Sequence, residues 1–76
     1  SPNGDADQYQ ETWRLANEVI NARGKSAKMA GQIAERIAYD MSHEGANRVA
    51  DALATRKGFK RIANRIRKMA RDKAGA

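Results

Sequence analysis

An all-α fold is what this 76-residue sequence predicts: a compact bundle of three to four short helices, with room for a helix-turn-helix-like pair. Three observations point there. Apolar residues recur at spacings of three and four along four stretches, the period of a helix with one buried face. Nothing alternates with period two over more than a few positions, and β-branched residues are sparse, so no strand is expected. Serine or glycine punctuates the boundaries between the stretches.

Residues 1–6 hold the only proline and an early glycine and read as a disordered leader. That leaves 7–73 as a single helical domain and 74–76 as a frayed tail. Asp7 stands where it would cap the first helix, with Gln10 completing a capping box. Tyr9, Trp13, Ala16 and Ile20 share one face, and Leu15, Val19 and Ala22 make a second stripe. Two stripes imply a helix gripped between neighbours, or one that lends a stripe to a partner chain. Arg23-Gly24 is the expected stop, since glycine tolerates the left-handed conformation after a helix.

Ser26 is placed to cap the second helix. Its apolar stripe is Ala30, Ile33, Ala34, Ile37 and Met41, widened by Ala27 and Ala38, with Lys28, Gln32, Glu35 and Tyr39 opposite. Ser42 to Gly45 reads as a break, with Ser42 capping a third helix whose buried face is Ala46, Val49, Ala50 and Leu53. Arg56-Lys57-Gly58 looks like its end, although Gly58 is the only punctuation and the third and fourth helices could run together. The fourth helix has the clearest pattern. Phe59, Ile62, Ala63, Ile66, Met69 and Ala70 fall within about a third of the circumference, and Lys60, Arg61, Asn64, Arg67, Lys68 and Arg71 fill the opposite arc with Arg65 on the flank.

Charge is concentrated at one end. Residues 56–76 carry nine cations against Asp72 alone, so this third of the chain supplies +8 of a net +6. Residues 1–24 carry −2 and residues 25–55 balance. Unpaired cations at this density repel one another unless an anion joins them, and they mark a surface for a polyanionic partner.

Several other functions are disfavoured. There is no cysteine and one histidine, His43, which leaves no thiolate or multi-histidine metal site and implies no cofactor. Gly24-Lys25-Ser26 has Val19 where a phosphate loop needs glycine, and His43-Glu44 is followed by Asn47 where a zinc-protease helix needs histidine. Ser42 beside His43 lacks an orienting carboxylate. No catalytic residue is expected, and the chain reads as a non-enzyme. No apolar run approaches the ~18 residues of a membrane span, so a cytoplasmic or nucleoid-associated location is expected. The chain starts at Ser1 rather than Met and reads as a fragment or processed product.

The expected function is nucleic-acid binding, with duplex DNA ahead of RNA. Lys57, Lys60, Arg65, Arg67, Lys68 and Arg71 are suited to neutralise phosphates, and Arg61 and Asn64 to read base edges. A helix-turn-helix would make the third helix the support and the fourth the reader. Two alternatives compete. One is a protein-interaction or dimerisation module of a larger protein, using Leu15, Val19 and Ala22 of the first helix for a homodimer or parent-protein contact. The other is a cationic membrane-active helix, disfavoured if Phe59, Ile62 and Ile66 are buried. Tyr9 and Trp13 are expected in the core, and Tyr39 as a partly packed ring with its hydroxyl in water.

Overall fold

Ser26 and Ser42 divide the first three helices as their side chains predict. The computed structural model describes residues 2–75, with side chains from Asp7 onward. Four helices follow in order: α1 (Pro2–Lys25), α2 (Ala27–Asp40), α3 (His43–Ala54) and α4 (Lys60–Gly75). No strand occurs among the described residues. Ser26 alone separates α1 from α2: its extended backbone breaks the helix, and its hydroxyl accepts from the Met29 N–H at 3.0 Å. Ser42 does the same for α3, accepting from the Gly45 N–H at 3.0 Å. Each bond satisfies one of the amides that a helix start leaves without an intrahelical partner.

Other boundaries differ from expectation. Helix α1 starts at Pro2, so the leader is helical from its second residue, Asp7 is not a cap, and Ser1 lies outside the described residues. Proline suits a first helical position because its missing N–H is one the helix cannot use. At the other end α1 runs through Gly24 to Lys25, and Gly24 does not take the left-handed conformation. The stop is supplied two residues later by Ser26. Only Met41 and Ser42 separate α2 from α3, a shorter break than Ser42 to Gly45. Residues 74 and 75 belong to α4, and Ala76 lies outside the described residues. The α4 end is held by Lys73, whose ammonium donates to Tyr39 O at 2.9 Å and Met41 O at 2.8 Å. A cation there meets the negative end of the α2 dipole.

Helix α1 packs on α2 and α3, α4 packs on α3 and α2, and among the described residues α1 and α4 do not pack on one another. The order around the bundle is therefore α1, α2, α4, α3. The Cα radius of gyration is 11.9 Å, close to the ~11 Å of a folded chain of this length. Among the described residues ten of the sixteen in the core are alanines, and only Val19, Ile37, Val49, Leu53, Phe59 and Ile66 are larger. Alanine lets helix backbones approach closely but buries little area each, so the partly covered Trp13, Leu15, Ile20, Ile33, Ile62 and Met69 complete the seal.

The two stripes of α1 resolve into one central line. Ala16, Val19 and Ala22 are buried together with Thr12, while Trp13, Leu15 and Ile20 flank them half-covered. Thr12 was not on either apolar stripe; its hydroxyl donates to Gln8 O at 2.7 Å, which satisfies it in place. Tyr9 leaves the core altogether, at 66% exposure. Ala27, expected to widen the α2 stripe, is also exposed.

Candidate nucleic-acid interface

Helix α4 divides as its periodicity predicts. Ala63, Ile66 and Ala70 are buried, with Phe59 just before the helix, and Ile62 and Met69 sit at the margin. The opposite arc faces outward. Lys57, Lys60, Arg61, Asn64, Arg65, Lys68 and Arg71 are exposed, and Arg67 is half-buried.

Those side chains are not equivalent. Arg67 pairs with Asp51 of α3 at 2.6 Å and also donates to Asn64 Oδ1 at 2.9 Å. Lys68 pairs with Asp72 one turn on, at 3.3 Å. Three of the eight expected contact residues are thus engaged with the protein itself. Lys57, Lys60, Arg61, Arg65 and Arg71 take part in none of the four ion pairs among the described residues. Arg65 leans toward α2, where its guanidinium lies 3.3 Å from the Cβ that a side chain at Gly31 would carry.

The α3–α4 turn brings further cations to this end. A shallow depression there is lined by Arg23, Arg56, Lys57, Lys60 and Arg61, with Ala54, Thr55 and Gly58. No carboxylate lines it. A second depression, between α2 and α4, shares Arg23 and Arg61 and adds Arg65. The basic surface therefore wraps around the start of α4. Two of its members, Arg23 and Arg56, were not among the expected site residues. Arg56 looked like a helix end beside Lys57, and that adjacency was the available signal. Arg23 carried no signal, since it belongs to the acidic third of the chain and reaches the turn only through folding.

Arg23 also organises the turn. Its guanidinium lies over the Phe59 ring at 4.0 Å from the centroid and donates to Gly58 O. A cation over a ring face is drawn to the negative face of its quadrupole. Gly58 has φ 89, the only positive φ recorded among the described residues, and α3 and α4 are therefore separate helices. The connection Thr55–Phe59 is slightly longer than the roughly three to four residues of a helix-turn-helix. Lys60 and Arg61 occupy the first turn of α4, which holds no acid. That is the positive end of the helix dipole, where cations are disfavoured.

Elsewhere the surface offers less. Of the first-helix stripe, Val19 and Ala22 are in the core, and Leu15 alone stays half-exposed, lining a groove with Ile33 and Met41. Tyr39 is 55% exposed on the outer face of α2. The Ser42 hydroxyl is occupied as a cap. Among the described residues no three metal-ligating side chains gather, and no helix is long and apolar enough to cross a membrane. Compared with known proteins, the chain matches no family model, no curated protein and no solved structure.

Proposed function

We propose that this chain binds nucleic acid, duplex DNA before RNA, through the basic surface of α4 and the turn that precedes it. The observation that carries the reading is the burial of the α4 apolar stripe. Phe59 is 8% exposed and Ile66 fully buried. A membrane-active helix needs that stripe free to enter lipid, whereas a groove-binding helix needs only its cations outward. Exposed aromatics on this face would favour single strands, which bind by stacking; the exposed large aromatics, Tyr9 and Tyr39, lie on α1 and α2 instead.

The mechanism is electrostatic docking. Lys57, Lys60, Arg65 and Arg71 neutralise phosphates directly, and Arg67 and Lys68 do so by exchanging Asp51 and Asp72 for phosphate oxygens. Exposed ion pairs are worth about 0–1 kcal/mol, so each exchange offsets part of what its cation gains and these two contribute less than the unpaired cations. Arg61 and Asn64 are the candidate base readers, with the Asn64 amide nitrogen left as donor while its oxygen accepts from Arg67. Helix α3 would then be the support and α4 the reader, in the manner of a helix-turn-helix. Ser42 is committed to capping, so binding rather than catalysis is the role proposed.

The test is fluorescence anisotropy with a random duplex of ~20 base pairs, a single strand and an RNA hairpin across a salt series. Duplex binding with a log–log slope of about −4 to −6 is the expected result, corresponding to about five phosphates neutralised. Absence of binding to all three at low salt would overturn the reading.

A further inference from the structure

The cations of this chain differ in what they already touch, and that difference ranks them. In the middle of α4, Arg67 and Lys68 have carboxylates at 2.6 and 3.3 Å. Around the α3–α4 turn, Arg23, Arg56, Lys57, Lys60 and Arg61 come together from α1, the turn and α4 with no carboxylate in the lining. Folding thus gathers like charges and leaves them uncompensated. The turn is also held in shape by contacts across the fold. Arg23 spans 35 residues of sequence to bond Gly58 O, and it covers the Phe59 ring. A concave, pre-shaped and uncompensated cluster meets an oxyanion without first breaking an ion pair or ordering a loop.

We infer that this notch is the phosphate anchor of the nucleic-acid surface. It grips the backbone of one strand through Lys57, Lys60 and Arg61, which moves Arg61 from base reader to phosphate contact and leaves Asn64 as the reader, with Arg56 and Arg23 adding charge to the same lining. The paired cations farther along α4 contribute less. The inference rests on the nucleic-acid reading and narrows it: the strongest contacts lie at the start of α4 and its turn, not along the middle of its outer arc.

The experiment compares variants of the full chain on the same ~20-base-pair random duplex across a salt series. Lys57→Ala/Arg61→Ala removes two notch charges. Arg36→Ala/Arg48→Ala removes the same net charge from the α1 side of the bundle, where these residues line grooves against α1. Arg67→Ala/Lys68→Ala removes the paired cations. The notch variant is expected to flatten the log–log slope by about 2 and lower affinity roughly tenfold or more for any sequence. The α1-side variant is expected to leave the slope unchanged within about 0.5, and the paired-cation variant to flatten it by less than about 1. Thermal unfolding accompanies each, and Lys57→Gln/Arg61→Gln replaces the alanine pair if that pair does not fold.

Equal flattening by the notch and α1-side variants would overturn the inference, because affinity would then follow net charge alone. A larger loss from Arg67→Ala/Lys68→Ala would also overturn it. In either case the nucleic-acid reading stands. No duplex binding by the unaltered chain at low salt overturns both.

Discussion

At Gly58 the backbone takes φ 89, and a Cβ there would lie 2.8 Å from the Arg23 guanidinium. An alanine therefore meets two penalties, the left-handed conformation and the displacement of Arg23 from the turn. Gly24 is the opposite case: it is helical, and nothing lies within 4 Å of its would-be Cβ. Glycine inside a helix costs about 1 kcal/mol relative to alanine. Gly24→Ala is expected to stabilise the chain by up to about 1 kcal/mol, and Gly58→Ala to destabilise it by about 1–3 kcal/mol. Chemical denaturation of both variants checks this, and the same sign for both would contradict the geometry. Gly58 was legible in the sequence because it stands alone between two periodic stretches. The role of Gly24 was misread because a glycine after arginine has the composition of a helix end whether or not the helix stops. The stop is decided by Ser26, which bonds the next turn. Arg23 was illegible at this scale, since its partners Gly58 and Phe59 are set by tertiary packing.

Helix α4 carries its conflict in its first turn. Lys60 and Arg61 stand at the positive end of the dipole, and no acid offsets them. A helix selected for stability alone would place acids there. Lys60→Glu is accordingly expected to raise the melting temperature by a few degrees. The same substitution puts a negative charge in the notch and is expected to weaken duplex binding more than tenfold. Opposite movements of stability and affinity separate a binding role from a structural one; a lower melting temperature would mean that Lys60 supports the fold. Element by element, the periodicity was informative wherever one face is buried. The stripes of α3 and α4 match their expected positions, as do Ala30, Ala34, Ile37 and Ala38 of α2. It was least informative for α1, which lies against two helices: its buried line falls between the two apparent stripes, and Tyr9 falls outside. Of the site, the outward arc of α4 was legible from its charges. The pairing of Arg67 with Asp51 was not, because it depends on how α3 and α4 lie together.

Across the whole molecule, a thin core is coupled to a concentrated charge. A domain of this size is stable by only about 4–11 kcal/mol, and the sixteen core residues among those described include six larger than alanine. Leu53 is among the largest fully buried side chains. Leu53→Ala is expected to cost roughly 3 kcal/mol, a large part of that total, and to lower the melting temperature by more than about 10 °C. The last third of the chain works against the same small margin, since its +8 is held within one domain and self-repulsion favours the expanded state. Screening it should stabilise the free chain, so the melting temperature is expected to rise between about 0.01 and 0.2 M salt as the Debye length falls to about 7 Å. On the proposed function a duplex would do the same work by binding: at 100 times its Kd it would add about 2.7 kcal/mol to the folded state. That is nearly the loss expected from Leu53→Ala, so saturating duplex should return that variant most of the way to the melting temperature of the free chain. If the notch is the anchor, adding Lys57→Ala/Arg61→Ala to Leu53→Ala should remove about half of the rescue or more at the same duplex concentration. A rescue that survives loss of the notch charges would mean that the duplex acts as a diffuse counterion, stabilising the fold without a defined seat.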